Sequence, residues 1–104
     1  MHTVMWTFRL AGTPDGDQLV DTIRASAPMY YGVPGLIRKY YCLALERREA
    51  VGIYLWRSRE DAERFYTPQW RDVVTARWGA APARQDWDTP VVVESGESKL
   101  VVDG

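Results

Sequence analysis

The chain has 104 residues and a mass of 11.9 kDa, which suits one domain with one core, burying about 65% of its unfolded surface. Hydrophobic residues make up 46% and charged residues 26%, with a mean hydropathy of -0.34, the balance of a globular domain in water. A formal net charge of -1 and an isoelectric point near 5.8 give no electrostatic footprint for a phosphate backbone or an anionic membrane, so neither nucleic acid nor membrane is an expected partner.

Cysteine and histidine usage narrows the chemistry further. The single Cys42 rules out an internal disulfide framework, and its place in an apolar run predicts a buried structural thiol. No apolar stretch is long enough to span a bilayer, and Met1 is not followed by a charged region and an apolar signal segment, so a cytoplasmic protein is expected. The only histidine, His2, is expected at a mobile terminus, and no cysteine pair exists, so neither a metal site nor a histidine-held haem is expected.

In chain order, Val4, Trp6, Phe8 and Leu10 alternate with Met5, Thr7 and Arg9, the period of a strand with one face buried. Gly12, Pro14 and Gly16 break it. From Asp17, the spacing of Leu19, Val20, Ile23 and Ala27 predicts a helix with one apolar face that ends or kinks at Pro28. Gly32-Val33-Pro34-Gly35 makes a tight connection into a second strand, Leu36 to Leu45. Glu46-Arg47-Arg48-Glu49 then leads to a third strand, Ala50 to Trp56, as an antiparallel hairpin, although Arg-Arg is poor chemistry for a two-residue primed turn.

Ser58 with Asp61 is a helix-capping pattern, after which Ala62, Phe65 and Tyr66 share one helical face. Thr67-Pro68 restarts the helix, and Trp70, Val73, Val74 and Trp78 continue an apolar stripe to Gly79. Ala80 to Ala83 reads as a linker, Val91 to Val93 as a fourth strand, Gly96 as a turn and Leu100 to Val102 as a short fifth strand.

This order predicts an α+β fold: a ferredoxin-like split βαβ antiparallel sheet with helices on one face, spanning residues 1–104 as one domain. If Glu46 pairs with Glu49, then Leu36, Arg38, Tyr40 and Cys42 share a face with Val51, Ile53 and Leu55, and Lys39 and Tyr41 share the other with Tyr54 and Trp56. Tyr41, Tyr54 and Trp56 left on a bare sheet face would form an interaction patch, so a homodimer with its two sheets facing one another is expected.

Several segments resemble the YdhR-type monooxygenase family, a branch of the dimeric α+β barrel proteins related to antibiotic-biosynthesis monooxygenases. They are Pro28-x-Tyr30, Val33-Pro34-Gly35-Leu36, Arg38-Lys39-Tyr40-Tyr41, Gly52-Ile53-Tyr54-Leu55-Trp56, Ser58 with Glu60 and Ala62, Phe65-Tyr66, and Trp70. The resemblance covers nearly the whole chain. It implies a dimeric α+β barrel and a cofactor-independent monooxygenase acting on a small electron-rich aromatic or polyketide-like substrate. Such a reaction needs an apolar cavity, a way to lower the substrate pKa, and donors aimed at the developing oxyanion. Arg38 and Lys39 are then the candidate cations and Tyr40 a catalytic phenol. Tyr30, Tyr54, Trp56, Tyr66 and Trp70 are the candidate substrate walls. No histidine lies in the body of the domain, which leaves a carboxylate, a tyrosine or electrostatic activation for the proton-abstracting role.

Each candidate also has a purely structural explanation. Trp6, Phe8, Phe65 and Trp78 have the spacing of core residues. Tyr54 and Trp56 would serve equally as interface packing, Lys39 as a cation–π partner of Trp56, and Arg38 as the partner of a helix carboxylate. Two other functions fit the same residues: an oxygen-independent isomerase or cyclase that stabilises an enolate, and a dimeric ligand binder without catalysis. Oxygen-dependent turnover separates the first from both.

Overall fold

Alternation in β1 (His2–Arg9) decides the layering: His2, Val4, Trp6 and Phe8 are buried, and the residues between them are half-buried. In this computed structural model, which describes residues 1–12, 15–97 and 99–102, β1 is a central strand of a four-stranded antiparallel sheet. The other strands are β2 (Leu36–Ala44), β3 (Glu49–Trp56) and β4 (Ala83–Asp88), in the order β2-β3-β1-β4, so β1 lies between β3 and β4. Three helices, α1 (Gly16–Ser26), α2 (Arg59–Phe65) and α3 (Pro68–Trp78), complete the ferredoxin-like α+β fold, and β5 (Val91–Glu94) pairs with β6 (Lys99–Val102) as a separate hairpin. Among the described residues no helix is long and apolar enough to cross a membrane.

The helix starts follow from local chemistry. Asp15 accepts from the backbone N–H groups of Asp17 and Gln18, Ser58 from that of Asp61, and Thr67 from that of Trp70, with Pro68 in the first turn of α3. Gly79 closes α3 in the left-handed region at φ 82. A 3-10 turn, Ala27–Tyr30, takes over from α1 where Pro28 interrupts the helical hydrogen bonds. Pro14, part of the predicted break before α1, lies outside the described residues.

Five expectations, including the burial of Cys42, are corrected. The fourth strand of the sheet is β4, where a linker and an unassigned segment were expected, and the valine-rich run Val91 to Val93 belongs to the separate hairpin. Ala-Arg-Gln-Asp-Trp-Asp has weak β propensity, and its place comes from the ladder to β1 together with charge pairing by Arg84 and Asp86.

The β2–β3 register is two residues away from Glu46 opposite Glu49, because the connection is a 3-10 turn, Leu45–Arg47, followed by Arg48 at φ 53. Ala44 therefore pairs with Glu49. A shift of two preserves the faces. Leu36 alone changes sides, through an irregularity between Leu36 and Arg38, and pairs with Trp56.

The face carrying Tyr54 and Trp56 is not bare. Tyr54 is 2% exposed and Trp56 is fully buried, packed with Phe65, Tyr66 and Trp70 from the α2–α3 segment. The open face instead carries Met5, Tyr40, Cys42, Val51, Ile53 and Trp87, so Cys42 is exposed on edge strand β2.

Finally, His2 is not at a loose end. It lies in β1, is buried, and its Nε2 is 2.7 Å from Asp86 Oδ2.

Candidate functional site

Lys39 points to the helix-covered side of β2, because the side chains of a strand alternate and its cross-strand partner, Tyr54, is a core residue. Its Nζ lies 3.4 Å from the ring centre of Tyr30, 3.8 Å from that of Tyr41 and 4.6 Å from that of Tyr54. Three separate pieces of chain build this cage: Tyr30 arrives on the turn after α1, Tyr41 follows two residues along β2, and Tyr54 faces it from β3. Gly52 keeps room beside them, since a Cβ there would stand 3.1 Å from Tyr54 Cε1 and 3.6 Å from Lys39 Cε.

Among the described residues no carboxylate pairs with Lys39. Burial among the rings disfavours its charged form and holds the amine down at about 6, and the positive charge of Arg77 acts in the same direction. The amine is therefore largely neutral at pH 7. Only the faces of the three rings favour the ammonium form. Burial also pushes the Tyr41 and Tyr54 phenols upward, so both stay protonated and act as hydrogen-bond donors rather than bases.

The hydroxyl network orients the cage. Ser26 Oγ donates its one proton to the Ile23 carbonyl at 2.8 Å, so in the 3.1 Å contact between Ser26 and Tyr41 the phenol is the donor. Tyr30 Oη accepts from Tyr54 Oη and from Trp70 Nε1, each at 3.3 Å.

A cavity of about 20 Å³ adjoins the amine, bounded also by Ile23, Ser26, Val74 and Arg77. It has room for about one water-sized group. Arg77 and Trp78 also border an open groove of about 320 Å³ that runs past Leu10, Asp15, Leu19 and Thr22. Ser26 is the one buried residue of α1, so the helix between cavity and groove is lightly packed.

The predicted site residues therefore separate into three groups. Lys39, Tyr30 and Tyr54 meet at the cavity. Trp56, Tyr66 and Trp70 pack against one another in the core, with Trp56 Nε1 donating to Tyr66 Oη at 3.0 Å and the Tyr66 and Trp70 rings 4.7 Å apart. Arg38 and Tyr40 lie on the opposite sheet face. Arg38 pairs with Glu94 and donates to Tyr40 Oη at 3.3 Å, bonds that raise its pKa, and Tyr40 is 52% exposed. A molecule held beside Lys39 cannot reach them through the sheet.

Arg77 and Ser26 went unnoticed in the sequence. Arg77 stands seven residues after Trp70 and three after Val74, both buried, so it continues the inward stripe of α3 as a cation. That interruption of an apolar stripe was the available signal.

A second polar cluster sits at the β1–β4 edge. Asp86 accepts from His2 Nε2, from Arg84 Nε at 2.7 Å and from Arg84 Nη2 at 2.9 Å, and Arg84 also reaches Glu63 on α2. Burial pulls the Asp86 carboxyl upward, but Arg84 and His2 outweigh it and hold the group below its usual range. Among the described residues no group of three histidine, cysteine or carboxylate side chains could hold a metal ion.

Solved structures share this fold. A mutant of SnoaB from Streptomyces nogalater, a cofactor-independent oxygenase, superposes with a TM-score of 0.63 at 15% identity, covering 85% of this chain and 91% of its own. A mutant of MhuD, with two manganese protoporphyrin IX bound per active site, gives 0.61 at 14% identity over 90% of this chain and 98% of its own. A structural-genomics protein, YJCS, gives 0.61 at 11% identity over 85% and 97%. This chain has their fold. At these identities the likeness is one of architecture, and neither a protein-family model nor a curated protein sequence matches the chain.

Proposed function

We propose that this protein is a cofactor-independent monooxygenase acting on small electron-rich aromatic or polyketide-like molecules, with Lys39 as the proton-abstracting base. The observation that carries the reading is the Lys39 amine held uncharged within the Tyr30, Tyr41 and Tyr54 cage beside a cavity. SnoaB, with the same fold, supplies the precedent of an oxygenase that needs no cofactor.

The reaction starts when Nζ takes a proton from an acidic C–H or phenol O–H of the substrate. The carbanion or phenolate gives one electron to O2, and the substrate radical and superoxide recombine to a peroxide. Loss of water from the peroxide leaves one oxygen atom in the product. All four electrons that reduce O2, two for the inserted oxygen and two for the water, come from the substrate, so the balance closes without a redox cofactor. The three ring faces stabilise the ammonium that forms, by about 0.5–2 kcal/mol for each well-placed ring, until the proton leaves with the water. The substrate body extends towards the groove beyond Arg77 and Trp78, with α1 yielding to admit it.

A porphyrin does not fit these residues. The one histidine that could hold its iron has Nε2 engaged by Asp86 at the β1–β4 edge. The proposal includes a homodimer closed over the open sheet face, where Tyr40 and Trp87 are 52% and 47% exposed.

Oxygen uptake with anthrones, naphthols and hydroquinones under ¹⁸O2 tests the reading. Label in the product, lost in Lys39→Met, is the expected result. Turnover without label would replace oxygenation by a proton-transfer isomerase at the same amine.

A further inference from the structure

We propose that Lys39 is also a carbonyl-capturing nucleophile, whose amine condenses with a small aldehyde or 2-oxo acid such as glyoxylate in the cavity bordered by Tyr30, Tyr41, Tyr54 and Arg77. Of the 13 lysine and arginine residues only Lys39 and Lys99 are lysines, so the single cationic side chain enclosed by the tyrosine rings is of the type that can shed its proton. An arginine there would stay charged and could not attack a carbonyl.

The groups facing the amine come from every element packed around it. They are Tyr30 from the turn after α1, Tyr41 from β2, Tyr54 from β3 and Arg77 from α3, while α1 contributes Ser26 and Ile23, which do not titrate. None is a carboxylate that would hold the nitrogen as ammonium. Arg77 has no acidic partner among the described residues, so a ligand carboxylate beside it would gain a charge-assisted contact. The cavity has room for about one water-sized group, so only the carbonyl end of the ligand enters it and the charged end stays at the Arg77 boundary.

In the condensation a bond forms between Nζ and the carbonyl carbon. The carbonyl oxygen leaves as water with the two hydrogens of the amine, and an imine remains. No oxidant enters. The inference rests on the same neutral amine as the proposed oxygenation but needs no O2, so each can fail without the other.

The full chain is incubated with glyoxylate and cyanoborohydride under argon from pH 5 to pH 9, and the adducts are mapped by peptide mass spectrometry. Hydride from the reagent and a proton from water convert the imine to a stable carboxymethyl-amine. Lys39 is expected to react on the order of a hundred-fold faster at pH 7 than Nα-acetyl-lysine added to the same solution, because an ordinary lysine is almost wholly protonated there. The Lys39 rate should level off above about pH 6, where its neutral fraction saturates. In Arg77→Gln, labelling by glyoxylate should fall while labelling by acetaldehyde persists. Equal rates at Lys39 and Nα-acetyl-lysine, or a Lys39 rate still climbing at pH 9, overturns the proposal. An equal fall for both aldehydes in Arg77→Gln overturns the assignment of the carboxylate to Arg77. Adducts formed under argon with no ¹⁸O incorporation in the earlier assay would leave this inference standing without the oxygenase.

Discussion

Lys39 and Tyr54 stand opposite each other in the β2–β3 ladder, and the lysine nitrogen lies 4.6 Å from the centre of the Tyr54 ring. That single cross-strand pairing places an ionisable amine on the face that the helices cover, half-buried among rings, where water solvates its charge poorly. The fold therefore carries a cost at this position, and the cost is the property the proposed chemistry uses.

Lys39→Met should stabilise the protein. The folded state holds the amine at about 6 against 10.5 in an unfolded chain, so between those values the unfolded state binds more protons and folding is opposed. The penalty is complete below about pH 6, shrinks as pH rises and vanishes above about 10.5. At pH 7 the gain from Lys39→Met should be on the order of 2–4 kcal/mol, with turnover reduced by about 10²–10⁴. Urea denaturation at pH 6, 8 and 10 should show the gap closing with rising pH. A variant no more stable than the parent at pH 7 would remove the buried-amine argument.

Tyr30→Phe and Tyr54→Phe should differ although the two phenols touch. Tyr30 Oη accepts from both Tyr54 Oη and Trp70 Nε1, so its removal leaves two buried donors unmatched and should cost about 1–3 kcal/mol. Tyr54→Phe deletes one donor and leaves the Trp70 bond in place, for about 0.5–1.5 kcal/mol. Thermal melts of the two variants check the order, and Tyr54→Phe as the costlier change would contradict this assignment of donors.

At the other edge of the sheet, Asp86→Asn should cost about 1–3 kcal/mol at pH 7 by weakening the bonds to Arg84 and His2. The folded carboxyl lies below its ordinary 3.8, so its stabilisation is present above that value and is lost as pH falls through the lowered one. Chemical denaturation of both proteins should show the difference at pH 7 shrinking once pH falls below 3.8. A difference that does not shrink there would mean Asp86 acts through packing alone.

Much of the fold was legible because its signals were local. β1 announced itself by strict alternation, and α2 and α3 by Ser58 and Thr67 at their caps. β4 was not, since Arg84, Gln85 and Asp86 have no intrinsic preference for a strand and are held by non-local pairing. The same limit applied at the site. Alternation placed Lys39, Tyr41 and Tyr54 on one face, but which face the helices cover depends on the whole sheet. Tyr54 and Trp56 were therefore expected on the bare side. Tyr30 joins the cage from a turn whose path Pro28 and Gly35 set. At Gly35, φ is 81 and any Cβ would overlap Asp61. The partners of His2 were illegible for a simpler reason: Asp86 is 84 residues away.

The layering that hides Tyr54 also says where a second copy would sit. Met5, Val51 and Ile53 are only half-buried on the open face, with Tyr40 and Trp87 more exposed around them. In the proposed homodimer this face meets its own copy, and a carboxylate at its middle would be buried without a partner, at a cost of several kcal/mol. Ile53→Glu should therefore convert the dimer to a monomer in light scattering while its far-UV circular dichroism stays native. Lys39 chemistry should survive in that monomer, because the cage is built from one chain and lies on the opposite side of the sheet. If glyoxylate labelling of Lys39 disappeared with the dimer, the partner copy would have to hold α1 and the tyrosine cage in place. A parent protein that is already monomeric at micromolar concentration would remove the dimer from the proposal and leave the amine site untouched.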